Sequence, residues 1–247
     1  MTQAVQEFDG GKPMTLLEHL LELRTRLIWC ALGLIVAVVI SSIFTQRVME
    51  FLAEPAREQS PDFKLIFTEP MESIATYFQV ALMGGLILAM PMFVYQTLLF
   101  VLPALTPQEK KWVLPLVVGI FLSFAIGVAF SFYVILPPSA KVLFNFNNDV
   151  AVPQIRVGSY FSFVTRLLFW VGVTFEMPIF LLALARFGMI TGRRLLGWWR
   201  FAVVGAFVLS AIITPTIDPV TQTLVAAPII VLWMLGTALA FIFGRSR

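Results

Sequence analysis

The sequence predicts an all-α integral membrane protein of six kinked transmembrane helices in a concave bundle, with both termini cytoplasmic. Three observations carry that expectation. Hydrophobic residues make up 59% of the chain and charged residues 13%, against roughly 45–50% and about 25% in a soluble domain, and mean hydropathy is +0.91. Apolar stretches recur at about 27–44, 73–102, 113–136, 159–185, 201–213 and 223–243, and about 20 such residues cross a bilayer as a helix. Lysine and arginine concentrate on alternate connections between these stretches.

The elements follow in chain order. Residues 14–26, MTLLEHLLELRTR, read as an amphipathic helix: with the next residue, Leu27, Leu16, Leu20 and Leu23 share one face, and Glu18, Glu22 and Arg26 another. Glu22 and Arg26 have the favourable i, i+4 order, and Glu18 beside Glu22 offsets that gain. The span at 27–44 carries 18 residues and no A-x-A site follows it, so it is kept as a permanent span instead of a cleaved leader. The loop at 45–72 is acidic, and Pro55, Pro61 and Pro70 are expected to break it into short segments, the first an amphipathic helix (VMEFLAEP). The second span is long enough to tilt. The fifth, FAVVGAFVLSAII, reaches only about 20 Å and demands snorkelling flanks or a thinned bilayer. Pro91, Pro115, Pro178 and Pro228 interrupt spans and imply kinks and a concave bundle.

Charge sets the orientation. Eleven of the seventeen basic residues lie on the side of the termini: Lys12, Arg24, Arg26, Lys110, Lys111, Arg186, Arg193, Arg194, Arg200, Arg245 and Arg247. Five lie opposite (Arg47, Arg57, Lys64, Lys141, Arg156), and Arg166 falls within the fourth span, near enough to the outer interface to snorkel. The excess marks the cytoplasmic side. No internal repeat is visible, so one polytopic membrane domain over 1–247 is the simplest organisation.

Composition also excludes functions. The single cysteine, Cys30, permits neither an intrachain disulfide nor a cysteine metal site. The net charge of +3 is mild, with no basic stripe for nucleic acid. The one histidine, His19, lies outside the spans; no Ser–His or metal-ligand cluster lies within them, and no phosphate-binding G-x-x-x-x-G-K-[ST] occurs. No enzyme activity, cofactor or metal is expected.

The polar residues that remain are the candidates. Glu176, in GVTFEMPIF, sits inside the fourth span, where a carboxylate costs roughly 2.5–3.5 kcal/mol on insertion scales. It reads either as a neutral acid bonded to a neighbouring helix or as a polar site within the bilayer. Asp218, in TPTIDPVTQ, reads either as a turn former beside Pro219 or as a functional acid. Glu109, in FVLPALTPQEKK, reads as a solvated loop charge, but Pro103 and Pro107 stiffen its loop. Glu22 and Glu109 fall on the same cytoplasmic face, where two carboxylates can receive guanidinium groups.

These residues carry a resemblance. HLLELRTRL, PMFVYQTLLFVLPALTPQEKK, FEMP and TPTIDPVTQ, in that order on a six-span topology, resemble the TatC family, the core receptor subunit of the twin-arginine protein translocase. The resemblance covers nearly the whole chain. It implies a glove-like bundle with short fifth and sixth helices, in the cell inner membrane. It implies binding of the signal peptides of folded proteins that bear consecutive arginines, assembly with single-span TatA- and TatB-type partners, self-association in a larger complex, and transport driven by the proton-motive force. By motif, Glu22 and Glu109 would hold the arginine pair, with Arg24, Phe100 and Leu105 shaping the patch. Glu176 would lie on the concave face where partner helices dock, Asp218 and Gln222 in the outer-turn motif, and Pro55 in the structured outer loop. Many members carry a lysine about where Gln79 stands, so no electrostatic role is carried over there, and Glu18 falls outside the family pattern. Rival readings are a proton-coupled small-molecule transporter, which would need repeat symmetry and a midplane coupling site, and a passive assembly scaffold.

Overall fold

The computed structural model describes residues 16–59, 65–101, 113–145, 154–214 and 219–244. Among these residues regular structure is helical, and the sole β interaction is an isolated parallel bridge between Ile66 and Arg156. Four segments with the length and apolarity of a membrane span begin at Leu17, Glu72, Leu114 and Val157, a fifth at Pro219, and a shorter apolar helix covers Trp199–Ile213.

Helix α1 (Leu16–Gln59) is 44 residues long, about 66 Å at 1.5 Å per residue. The amphipathic helix, the first span and the start of the outer loop are thus one continuous element. Pro55 does not end a separate short segment; it lies inside α1 and is buried. Tertiary packing holds this last part together: Leu52, Ala53 and Ala56 enter the main core, and the Tyr160 hydroxyl donates to the Leu52 carbonyl at 2.7 Å.

Helix α2 (Glu72–Val101), with Pro91 inside it, runs back along α1. The two backbones approach closely at Gly85, where a Cβ would stand 2.6 Å from the Val38 Cα. Helix α3 (Val113–Phe130) passes through a π turn, Ser131–Ile135, into α4 (Leu136–Asn145). Pro137 and Pro138 lack the N–H groups that Tyr133 and Val134 carbonyls need, and the ladder widens, with the Leu136 N–H reaching Ser131 O.

Helices α5 (Val157–Phe175) and α6 (Met177–Arg186) meet at Glu176. Pro178 cannot donate to Thr174, and the Ile179 N–H turns to Glu176 O at 3.1 Å. The Phe175 carbonyl, left without its helical donor, accepts the Ser123 hydroxyl from α3. Gly188, at φ +73°, closes α6. Short α7 (Gly192–Gly197) turns into α8 (Trp199–Ile213), and α9 (Pro219–Phe243) completes the bundle. At 15 residues, α8 extends only about 22 Å.

The core centres on α5. Tyr160, Val164, Leu167 and Val171 are at most 2% exposed and pack with Val80 of α2, Leu136 of α4, Ile213 of α8 and Val225 of α9. By contrast Leu32, Val36, Ile40 and Ile43 of α1 face outward, as expected where lipid is the solvent.

Candidate functional site

At the end of the bundle where α1 begins and α2 ends, two turns of α1 meet the last turns of α2. Glu22 accepts a hydrogen bond through Oε1 from Arg26 Nη2 at 3.1 Å. Arg26 is held from the other helix, its Nη1 donating to Gln96 Oε1 at 3.3 Å. His19, one turn before Glu22, stacks on Phe100 with ring centroids 4.2 Å apart. The second carboxylate oxygen, Glu22 Oε2, is buried, accepts no hydrogen bond among the described residues and lies 4.0 Å from His19 Nδ1. Arg26 Nε is likewise buried without an acceptor among the described residues. Unsatisfied buried polar atoms are uncommon and call for a physical reason. Here the carboxylate is fixed by one oxygen, and its other oxygen has acceptor capacity to spare.

Among the residues singled out from sequence, Glu22 and Phe100 are brought together, bridged by His19. Arg24 is exposed and has no hydrogen bond or ion pair among the described residues. Glu109, Leu105 and Asp218 lie outside the described residues. Glu176 is 4% exposed at the α5–α6 junction, and its Oε1 accepts no hydrogen bond among the described residues. Gln222 ties α9 to α8: its Nε2 donates to Phe207 O at 3.2 Å, and its carbonyl accepts the Ser210 hydroxyl at 2.6 Å. Sequence reasoning passed over Arg26–Gln96 as a pair and His19–Phe100 as a stack. The available signal was a lone amide, Gln96, within the apolar run PMFVYQTLLFVL.

A second polar cluster occupies the opposite end, between α2 and α5. Glu72 Oε2 accepts from the Thr68 N–H at 2.8 Å and the Thr68 hydroxyl at 3.0 Å. Its Oε1 accepts from the Gly158 N–H at 2.9 Å and faces Arg156 Nε at 3.6 Å. Arg156 also pairs with Glu69 at 3.0 Å. A turn further in, Gln79 and Ser162 exchange hydrogen bonds at 2.8 and 3.1 Å. Arg166 lines the same cleft and is exposed.

Comparison with known proteins gives these features a family. A model of the TatC family, Sec-independent protein translocase protein, matches residues 18–228. The chain is 36% identical over 236 residues to the Sec-independent protein translocase protein TatC of Aquifex aeolicus (strain VF5), covering 95% of this chain and 98% of that protein. It is 35% identical over 240 residues to the chloroplastic Sec-independent protein translocase protein TATC of Arabidopsis thaliana, covering 97% of this chain and 70% of that one. A crystal structure of the twin-arginine translocase receptor TatC superposes with a TM-score of 0.82 at 36% identity, covering 90% of this chain and 98% of that chain. A second, determined in DDM, gives 0.84 over 91% of this chain and 100% of that chain. The all-α concave membrane fold is therefore that of these structures, and the family is one of translocase components, not of enzymes. The chain belongs to the TatC family of Sec-independent protein translocase proteins.

Proposed function

We propose that this protein is the receptor subunit of a twin-arginine translocase and that Glu22, with Glu109, takes the guanidinium pair of a signal peptide. The observation that carries the reading is the asymmetry of Glu22: one oxygen is anchored by Arg26, and the other has no donor among the described residues. A guanidinium supplies the missing donor in a planar fork that pairs bidentately with carboxylate, whereas an ammonium is a point charge and cannot reproduce that geometry. The His19–Phe100 stack covers the approach to Glu22 Oε2, so Phe100 shapes the entry. Glu109 and Leu105 join the patch through the LTPQE motif, and Arg24 borders it on the exposed face of α1.

The wider reading follows the same family logic. The protein is a multi-pass subunit of the cytoplasmic membrane, one polytopic domain with both termini inside, as the lysine and arginine bias requires. It assembles with further copies of itself and with single-span TatA- and TatB-type partners, with Glu176 on the side that receives their helices and Asp218 and Gln222 shaping the outer turn. The proton-motive force drives transport.

The test is equilibrium binding of a labelled twin-arginine signal peptide to the purified protein in nanodiscs, beside a twin-lysine peptide and the Glu22→Ala/Glu109→Ala variant. Hydrogen bonds to charged groups contribute about 1.5–3 kcal/mol each, so both controls lose on the order of 100-fold in affinity while the variant stays folded. Equal binding in all three samples would assign the signal to hydrophobic capture and leave a passive scaffold.

A further inference from the structure

The corner between α7 and α8 holds a second concentration of unneutralised charge. From Met177 to Arg247 the sequence contains one acid, Asp218, and six arginines. In sequence Asp218 follows α8, which stops at Ile213. Among the described residues no carboxylate pairs with Arg193, Arg194 or Arg200. Three other guanidiniums are answered: Arg26 by Glu22, Arg156 by Glu69 and Glu72, and Arg186 by the Phe243 carbonyl at 3.1 Å. Arg193 and Arg200 have no anionic partner among the described residues, and both line a cleft of about 850 Å³ together with Leu196, Trp199, Phe201 and Val204. Arg200 lies over the neighbouring Trp199 ring at 5.6 Å, and Arg194 over Trp198 at 5.2 Å.

The walls decide what kind of anion fits. Phe201 is 77% exposed and Val204 64%, so the cleft offers two guanidiniums at its rim and a bare apolar slope leading away along α8. A free anion would leave that slope unused, whereas an amphiphile with a phosphate head covers both. Planar guanidiniums pair bidentately with phosphate oxygens, and paired tryptophans mark the depth of the headgroup layer. The length of α8 is an independent argument. A helix of about 22 Å falls short of a hydrocarbon core of about 30 Å, so the leaflet must dip at one of its ends. Headgroups drawn down to Arg193 and Arg200 supply that dip.

We propose that the α7–α8 corner binds an anionic phospholipid of the adjoining leaflet, its phosphodiester held between Arg193 and Arg200 and its acyl chains lying on Phe201 and Val204. The site shares no residue with the Glu22 patch and does not depend on peptide binding.

Native mass spectrometry of the whole protein in detergent tests this, with tetraoleoyl cardiolipin as probe, dioleoyl phosphatidylcholine as the zwitterionic control and inorganic phosphate as competitor. Wild-type protein retains cardiolipin in preference to phosphatidylcholine, and millimolar phosphate does not displace it. Each basic residue near an anionic surface is worth about 1 kcal/mol, so Arg193→Gln/Arg200→Gln weakens retention on the order of tenfold or more. Each single variant falls between, which keeps the test informative if the double variant folds poorly. Arg47→Gln/Lys141→Gln, at the opposite end, retains cardiolipin as the wild type does. Equal retention by the two double variants would overturn the proposal, and displacement by phosphate would reduce the corner to a simple anion site.

Discussion

Glu22 and Glu72 sit at opposite ends of the same helical hairpin and differ in one respect. Every oxygen of Glu72 is occupied, by two backbone N–H groups, a hydroxyl and a guanidinium. Glu22 is held by Arg26 through one oxygen, and the other is buried without a donor among the described residues. Glu72 joins three pieces of chain: the segment before α2, α2 itself and the first turn of α5. Saturation of that kind fixes structure. Partial satisfaction, anchored on one side, leaves a carboxylate oriented and able to accept a ligand. The comparison teaches that the count of donors, and not the presence of an acid near an interface, separates a clamp from a receptor.

The largest expected effect comes from exchanging the two tests. Glu22→Ala lowers peptide affinity about 10- to 100-fold, the loss of one charge-assisted contact set, with little change in thermal unfolding. Glu72→Ala does the reverse: it gives the larger drop in unfolding temperature, because the Thr68 and Gly158 N–H groups lose their acceptor, and binding per folded molecule is unchanged. Thermal unfolding and peptide titration on the same samples check both, and a shared profile for the two variants would dissolve the distinction.

Smaller effects sharpen it. Gln96→Leu frees Arg26 from α2 without touching Glu22. The bond is charge-assisted but long at 3.3 Å, which puts it near the lower end of the range of about 1.5–3 kcal/mol for charged groups, so peptide affinity falls about tenfold, measured by the same titration. Gln79→Leu removes the exchange with Ser162 at the clamped end. Interhelical hydrogen bonds within membranes average about 0.6 kcal/mol, so it costs about that much in equilibrium unfolding and leaves affinity unchanged.

Much of this was legible in the sequence. The apolar runs, the alternating charge and the short fifth helix required only counting, and the kink at Glu176 follows from Pro178 alone. Pro55 shows where local rules stop. A proline in an acidic stretch reads as a break, yet Leu52 and Ala56 bury themselves against α5, and tertiary packing carries the helix through. Glu22 was visible because it lies in an amphipathic pattern beside the membrane. Its difference from Glu72 was not, because donors to Glu72 come from residues as far apart in sequence as Thr68 and Gly158. Likewise Gln96 and Arg26 are 70 positions apart, and nothing in either local pattern names the other.

The most direct measurement is a double-mutant cycle across the proposed contact, combining Glu22→Ala in the protein with arginine-to-glutamine substitutions in the signal peptide. If Glu22 receives a guanidinium, one arginine couples to it by at least about 1.5 kcal/mol, the scale of a charged hydrogen bond. Additivity within about 0.5 kcal/mol for both arginines would contradict the account and return Glu22 to the surface of its helix.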